Sequence, residues 1–353
     1  MTIVRVAAVQ DAPVFLDRDA TVARVHALTG QAAAEGAELV VFPEAFVPTY
    51  PDWVWRTTPW ADGPARWYER LVEQSVTVPG PAVDALADAA RSAGVHLAVG
   101  INERDGSTLY NSLAWFGPDG HLLAVHRKLM PTGGERLVWG MGDGSTMSVL
   151  DTPVGRLGGL ICWENYMPLA RYHLYAQGMD VLVAPTWDNS DAWVPTMRHI
   201  AKEGRCFVVG VTFCLRGSDV PQGIPGRDEI YGGSDDWLAR GNSCVVGPGG
   251  QLLAGPLVGE PGIVIADCDL DALVSARRQF DPVGHYARPD VFRLEVDERP
   301  RPPARSTAAS PASSAATTTG NDEHHGGAAT ADDVARRSSS GAMQQPATAD
   351  ARR

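Results

Sequence analysis

The sequence predicts an α/β fold in which two helix-covered sheets pack face to face, a four-layer α-β-β-α sandwich with an internal pseudo-twofold repeat. The order helix, strand, helix, strand, hairpin occurs twice along the chain, and three pairs of segments support this. The clearest pair is "NSLAWFGPDGHLLA" (111–124) and "NSCVVGPGGQLLA" (242–254), each of which predicts a hairpin around a Gly-Pro-x-Gly turn. A shared Asn-Ser pair and a shared turn make chance similarity a poor explanation for this pair.

The other elements follow in chain order. The amino-terminal run "MTIVRVAAVQD" predicts a first strand. Apolar runs closed by proline predict two buried strands, "AELVVFPEAF" (37–46) and "MDVLVAPTWD" (179–188). The runs "VHLAVGINE" (95–103) and "CFVVGVTF" (206–213) predict the strands that come next in each half. Chance similarity stays open for these last two pairs, because apolar strands resemble one another.

Composition divides the chain near residue 300. Residues 1–300 have the apolar content of one large domain or two small ones. Residues 301–353 are rich in Pro, Ala, Ser, Thr and Gly with almost no large apolar side chain, so they predict a disordered low-complexity tail. The net charge of −12 argues against a nucleic-acid partner. No stretch has the length of a membrane span or the apolar core of a signal peptide, so we expect a cytoplasmic protein without a membrane partner.

Cysteine usage and the absence of nucleotide-binding motifs predict a protein without a metal or cofactor. The five cysteines, at 162, 206, 214, 244 and 268, form no C-x-x-C pair. Their odd number argues against a disulfide framework, and their spacing argues against structural zinc. No P-loop and no G-x-G-x-x-G after a strand is present.

Three chemically capable side chains each follow a predicted strand. Glu44 ends the first proline-closed run, where the second half has Thr186. Lys128 follows "HLLAVHR", and Cys162 ends "RLGGLIC" just before a predicted helix, whose positive end would favour the thiolate. Strand ends are where α/β proteins place their chemistry. Taken singly, each residue has a structural alternative: a solvated glutamate, a lysine that extends to water, and a core cysteine.

Together, the segments "FPEAF", "HRKLMPT" and "LICWEN" resemble the three signatures of the nitrilase superfamily of carbon-nitrogen hydrolases, in the same order. The resemblance extends from about residue 4 to about residue 292 and implies that residues 1–300 form one catalytic domain. "PTYPDWVW", "GERLVWGMGDGS" and the Trp-Glu after Cys162 are similar to the true nitrilase branch rather than to the amidase or carbamoylase branches. One position departs from the pattern. Many nitrilases have a histidine just before x-Glu-Arg, where this chain has Gly133 and Gly134, which leaves the pocket shape open.

The resemblance implies a hydrolase that converts an organic nitrile, aliphatic or arylaliphatic, to a carboxylic acid and ammonia. Glu44 would be the base, and Cys162 the nucleophile that forms a thioimidate and then a thioester. Lys128 would stabilise the developing negative charge. Glu135 resembles an additional glutamate of the family and would position substrate and water. Its alternative is a surface glutamate paired with Arg136.

Aromatic side chains within the motif segments suit a mostly apolar cleft, and we expect Tyr50, Trp163 and Trp187 to bind substrate. Glu164 marks the nitrilase branch. It would pair with a nearby base, and a structural role and a catalytic role are equally open for it.

Three histidines are alternatives for a catalytic base, namely His126, His173 and His199. The sequence gives them no local support, and we expect them to be structural.

The alternatives to a nitrilase are two other hydrolases and a non-catalytic protein. A cyanide hydrolase or an amide hydrolase of the same superfamily would use the same residues, and a non-catalytic scaffold is disfavoured because all three signature residues are present. The expected partners are a small nitrile and water. The resemblance also implies a homodimer that extends to a higher homo-oligomer or a spiral filament, with segment 218–240 as a contact loop or an active-site lid.

Overall fold

The computed structural model describes residues 2–60, 62–232 and 235–301. Apart from Arg301, the predicted tail at 301–353 lies outside the described residues.

The strands are β1 (Ile3–Gln10), β2 (Leu39–Val41), β3 (His96–Asp105), β4 (Thr108–Phe116), β5 (Leu122–Arg127), β6 (Leu150–Thr152), β7 (Gly155–Gly159), β8 (Val181–Thr186), β9 (Phe207–Thr212), β10 (Cys214–Arg216), β11 (Trp237–Val246), β12 (Leu252–Val258) and β13 (Gly262–Asp269). The α-helices are α1 (Arg18–Ala34), α2 (Asp62–Gln74), α3 (Pro81–Ala93), α4 (Pro168–Ala176), α5 (Trp193–Gly204), α6 (Arg227–Tyr231) and α7 (Ala272–Gln279). Short 3₁₀ helices span Asp52–Trp55, Gly133–Leu137, Gly144–Thr146, Cys162–Tyr166 and Gly217–Asp219.

The strands form two sheets with the same internal order. The first sheet runs β13-β1-β2-β3-β4-β5, and the second runs β10-β11-β9-β8-β7-β6 with β12 paired to β11. In the first, β1, β2 and β3 are parallel and the β3-β4-β5 pairs are antiparallel. In the second, β7, β8 and β9 are parallel and the β9-β11-β12 pairs are antiparallel. The predicted internal repeat is therefore confirmed.

The two predicted hairpin turns have the same backbone hydrogen bonds. Gly120 N donates to Gly117 O at 2.9 Å, and Gly250 N donates to Gly247 O at 2.8 Å. The shared Gly-Pro-x-Gly sequence thus encodes a shared turn geometry.

Alternating side chains on the strands build the four layers. In β2, Leu39 and Val41 lie in the core between the sheets, whereas Val40 packs in the core beneath α1 and α3. In β8, Val181 belongs to the core between the sheets and Leu182 to the core beneath α4 and α5. This period of two buries both faces of each sheet, as expected for buried parallel strands. The predicted α-β-β-α sandwich is confirmed.

None of the helices in the described part of the chain is both long and apolar enough to span a membrane. Segment 218–240 includes α6 and the start of β11, with residues 233–234 outside the description. Its role in assembly stays a prediction.

Candidate active site

A buried lysine lies between two buried carboxylates where the loops after β2 and β5 meet. Lys128 Nζ is 2.7 Å from Glu44 Oε1 and 2.8 Å from Glu135 Oε2, and the three side chains are at most 2% exposed. Burial alone would lower the pKa of Lys128. The charges of Glu44 and Glu135, both hydrogen-bonded to Lys128, outweigh burial and raise that pKa above its ordinary value of 10.5. Lys128 is therefore a fixed ammonium ion.

Glu44 is held as a hydrogen-bond acceptor on both oxygens. Asn111 Nδ2 donates to Oε1 at 2.7 Å, and the backbone N–H of Trp187, just after β8, donates to Oε2 at 2.8 Å. Burial, together with the nearby charge of Glu135, raises the pKa of Glu44 above its ordinary value of 4.5, although Lys128 opposes the shift. Glu44 is thus a stronger proton acceptor than a solvated glutamate.

A glycine on β3 allows the loop that contains Glu44 to cross close to the sheet. A Cβ at Gly100 would lie 2.1 Å from Pro43 O and 2.4 Å from Ala45 N. Ala45 itself adopts a left-handed conformation with φ of 49°. No side chain fits between the strand and the loop at this point. The close backbone contact therefore fixes the position of the loop from which the Glu44 side chain extends.

Glu135 is fixed by its own short helix and by a tyrosine. It is the third residue of the 3₁₀ helix Gly133–Leu137, and its Oε2 accepts from Thr132 N at 2.7 Å, as an N3 glutamate does in a capping box. Tyr50 donates its hydroxyl to Glu135 Oε1 at 2.7 Å. Arg136 instead donates to a backbone carbonyl, that of Pro131. The alternative of a surface Glu135–Arg136 pair is therefore wrong.

Cys162 occupies a strained position just after β7. It begins the 3₁₀ helix Cys162–Tyr166 and has φ of 53°, a left-handed conformation that costs about 1–2 kcal/mol for a residue with a Cβ. The side-chain amide of Asn165 supports it by donating to Cys162 O at 2.9 Å and to Leu160 O at 2.7 Å. The thiol is buried, and an interaction with the Thr186 side chain acts to lower its pKa.

The protonation state of Cys162 differs from the sequence-based expectation. Burial, followed by the charge of Glu44, raises the pKa of the thiol well above its ordinary value of 9.0, even though Lys128 opposes the shift. The prediction that the following helix favours the thiolate is wrong, because α4 begins only at Pro168 and desolvation outweighs a helix-end dipole. The resting nucleophile is a neutral thiol that must lose its proton as it reacts.

A mostly apolar cavity of about 650 Å³ opens beside these groups. Its wall includes Cys162 and Glu135 together with the aromatic residues Tyr50, Trp55, Trp163 and Trp187. This volume is within the range of small-molecule sites, roughly 300–1,000 Å³.

All three predicted substrate-binding residues lie on the cavity wall. Tyr50 stacks on Trp187 with ring centroids 4.4 Å apart, and its hydroxyl is engaged by Glu135 and by Trp55 Nε1 at 3.0 Å. Trp163 is 51% exposed and donates to Asp188 at 3.0 Å. Their contact with substrate stays a prediction, and Tyr50 has in addition a role the sequence did not indicate, that of holding Glu135.

The model of the carbon-nitrogen hydrolase family matches residues 5–278. The chain belongs to the carbon-nitrogen hydrolase family. This agrees with the resemblance drawn from the three motifs.

Relatives of this carbon-nitrogen hydrolase include several proteins named as nitrilases. It is 46% identical over 307 residues to an aliphatic nitrilase of Sinorhizobium fredii (strain HH103), covering 85% of this chain and 98% of the relative. It is 43% identical over 319 residues to nitrilase 2 of Arabidopsis thaliana, covering 86% and 91%. A bifunctional nitrilase/nitrile hydratase of Nicotiana tabacum is 41% identical over 315 residues, covering 87% and 90%.

Solved structures share the fold of this hydrolase. A carbon-nitrogen hydrolase from Helicobacter pylori G27 matches with a TM-score of 0.64 at 22% identity, covering 82% of this chain and 97% of that chain. An amidase from Nesterenkonia sp. matches with a TM-score of 0.59 at 22% identity, covering 78% and 94%.

Two polar residues of this carbon-nitrogen hydrolase contact the site without having been predicted there. Asn111 donates to Glu44, and the Thr186 side chain acts to lower the pKa of the Cys162 thiol. Both had a sequence signal: Asn111 opens the repeated Asn-Ser pair, and Thr186 aligns with Glu44 between the two halves. A buried polar residue on an apolar strand needs a partner, and that requirement could have marked both.

The three histidines lie outside the catalytic contacts of this hydrolase. His173 Nε2 is 3.2 Å from Met147 O, and His199 Nε2 is 3.2 Å from Glu203. His126 is buried against Glu164, so the open pairing of Glu164 with a nearby base is confirmed. In the described residues, no group of three or more His, Cys, Asp or Glu is arranged to hold a metal ion.

Proposed function

We propose that this carbon-nitrogen hydrolase is a nitrilase that converts an aliphatic or arylaliphatic nitrile to the carboxylic acid and ammonia. The observation that supports it most is the buried Cys162 thiol on the wall of an apolar cavity, beside an ammonium ion held between two carboxylates. The relatives named as nitrilases, 41–46% identical over most of the chain, support the same activity.

The first step joins Cys162 to the nitrile carbon. Because the resting thiol is neutral, its proton passes to Glu44 as the sulfur–carbon bond forms, and the raised pKa of Glu44 makes it a suitable acceptor. Negative charge develops on the nitrile nitrogen, where Lys128 stabilises it and the proton from Glu44 neutralises it. The product of this step is a thioimidate.

Two water molecules complete the reaction. The first gives a proton to Glu44 and adds to the thioimidate carbon, which forms a tetrahedral species that contains nitrogen, oxygen and sulfur. The nitrogen takes up protons and leaves as ammonia, and a thioester remains. The second water hydrolyses this thioester, so that the acid leaves and the Cys162 thiol is restored. Glu135 is hydrogen-bonded to Lys128 and faces the cavity, which suits it to orient substrate and water.

The tetrahedral species can also decompose by a second route. If the sulfur–carbon bond breaks before the nitrogen leaves, the product is an amide. The relatives that are named bifunctional nitrilase/nitrile hydratases favour some amide release here as well.

The size of the cavity favours an organic nitrile over cyanide. Hydrogen cyanide would leave most of about 650 Å³ unfilled, whereas the aromatic wall would contact a substrate with an apolar chain or ring. A cytoplasmic location and an assembly of dimers into a larger homo-oligomer or spiral filament are further parts of this proposal.

Ammonia release by the purified protein tests the activity. The panel contains an aliphatic dinitrile, phenylacetonitrile, benzonitrile, cyanide and the amide of one of the nitriles, and chromatography separates acid from amide products. We expect release from organic nitriles, and its loss in Cys162→Ala. Release from the amide alone or from cyanide alone would assign the chain to the corresponding alternative, and a Cys162→Ala variant with wild-type turnover would refute the mechanism.

A further inference from the structure

Glu164 is a buried, ionisable side chain that the proposed reaction does not use. Its Oε1 accepts from Leu129 N at 2.7 Å, and its Oε2 accepts from Ile161 N at 2.6 Å. Leu129 follows Lys128 in the chain, and Ile161 precedes Cys162. A single carboxylate therefore binds the backbone next to the catalytic ammonium ion and the backbone next to the nucleophile.

His126 completes the contacts of this carboxylate. Its Nε2 lies 3.1 Å from Glu164 Oε2 and 3.2 Å from Oε1, and its Nδ1 lies 3.1 Å from Thr146 Oγ1. Burial by itself raises the pKa of Glu164, but His126 and the two backbone N–H groups outweigh burial and lower that pKa below its ordinary value. Glu164 is therefore ionised and can only accept, so the Nε2–H group of His126 donates a hydrogen bond to it.

These contacts connect two parts of the protein that no strand pairing joins. Lys128 follows β5, at one edge of the first sheet, whereas Cys162 follows β7 in the second sheet. Cys162 also has the strained φ of 53°, which persists only when its surroundings enforce it. Among the described residues, Glu164 hydrogen-bonds the backbone beside both catalytic groups.

We propose that Glu164 and His126 are positioning residues that fix the separation between the Lys128 ammonium and the Cys162 sulfur. A carboxylate suits position 164 because it accepts two backbone N–H groups and an imidazole N–H at once. A glutamine there would keep one acceptor oxygen and direct an NH₂ group at the other backbone N–H. The role in turnover rests on the proposed nitrilase function.

The principal variants are Glu164→Gln, His126→Gln and His126→Leu. We expect Glu164→Gln to lower kcat by about 100-fold, the loss typical of a misplacement near 1 Å, with KM within about threefold of wild type. His126→Gln retains an N–H donor for Glu164, whereas His126→Leu does not. We therefore expect kcat to fall less than about tenfold in the former and about 100-fold in the latter. If Glu164→Gln does not fold, the comparison of His126→Gln with His126→Leu still tests the positioning role.

Asp180→Asn is the matched control. Asp180 is a mostly buried carboxylate just before β8 that accepts from Arg156 N at 3.1 Å and pairs with Arg277 at 2.9 Å, away from the catalytic loops. We expect this variant to lower the melting temperature and to leave kcat within about threefold of wild type. A general loss of stability is thereby separated from a loss of positioning.

The alkylation rate of Cys162 by iodoacetamide, with the modified residue located by mass spectrometry, tests positioning without any nitrile. We expect Glu164→Gln to slow it about tenfold, because the thiol moves away from Glu44 and Lys128. A wild-type protein inactive on every nitrile would end the proposed function, while the alkylation rates would still decide the role of Glu164. Three results would each overturn the inference. The first is a wild-type alkylation rate in Glu164→Gln, and the second is the same kcat in His126→Gln and His126→Leu. The third is a loss of kcat in Asp180→Asn as large as that in Glu164→Gln.

Discussion

Replacement of Lys128 by methionine removes the positive charge from a buried group of two carboxylates and one ammonium ion. In wild type, Lys128 lies 2.7 Å from Glu44 and 2.8 Å from Glu135, with no exposed side-chain surface. Methionine preserves most of the volume but leaves two buried like charges without a counter-charge. Loss of one partner from a buried ion pair costs about 3–5 kcal/mol, and we expect a loss of this size in the free energy of unfolding. At about 2–4 °C per kcal/mol, the melting temperature should fall by about 10 °C.

The cost should depend on pH and on the second carboxylate. The pKa of Glu44 is already raised above 4.5 in wild type, and the loss of Lys128, which opposes that shift, raises it further. A carboxyl group with a raised folded-state pKa binds its proton more tightly when folded. The destabilisation by Lys128→Met is thus complete at pH values above the folded-state pKa of Glu44. It decreases as the pH falls through that pKa toward 4.5. Adding Glu44→Gln to Lys128→Met should restore about 2 kcal/mol, since one buried charge is then removed.

Urea unfolding at about pH 8 and about pH 5.5 measures both effects. Lys202→Met is the control, because Lys202 is an exposed lysine on α5, and we expect a change within about 0.5 kcal/mol. A loss below about 1 kcal/mol in Lys128→Met at the higher pH would show that the group is not an unscreened buried ion pair. A double variant no more stable than Lys128→Met would show that Glu44 does not bear the unpaired charge.

Three further predictions follow from the same geometry. In Gly133→Ala, the new Cβ would lie 2.9 Å from the Trp55 ring at a φ of +50°, so we expect the indole to move. The KM for phenylacetonitrile should then change more than about threefold, whereas kcat for a short aliphatic nitrile should stay within about threefold of wild type. The raised pKa of Glu44 places the acid limb of kcat/KM above pH 4.5, and a pH profile with that limb at or below 4.5 would contradict its role as the base. Gly100→Ala should lower the free energy of unfolding by more than about 3 kcal/mol and abolish activity, because its Cβ meets the backbone beside Glu44. Gly30→Ala in α1 is the control. Nothing lies within 4 Å of the new Cβ there, so thermal unfolding should show a stabilisation of about 0.5–1 kcal/mol.

The repeat and the strand ends could be predicted because their signals are local. A proline closes each apolar run at the end of β2 or β8, and the Gly-Pro-x-Gly turn forms through its own backbone hydrogen bonds. Such patterns depend on residues within a few positions of one another. They were sufficient to place Glu44, Lys128 and Cys162 each at a strand end.

The supporting contacts could not be predicted because their partners are distant in the chain. The sequence separates Glu164 from Leu129 by 35 positions and Tyr50 from Glu135 by 85 positions. Nothing near Tyr50 indicates that its hydroxyl binds a carboxylate rather than substrate. The contact arises only when the loops after β2 and β5 meet.

The sequence by itself determined the residue types at the strand ends, the internal repeat and the family. Only the tertiary structure decided the protonation states of the site. A local argument from the helix after Cys162 predicted a thiolate, whereas burial and the charge of Glu44 raise the pKa of the thiol. The reason is physical: a helix-end dipole contributes about 0.3–1 kcal/mol at an exposed position, while the desolvation of a buried thiol depends on every atom that excludes water from it.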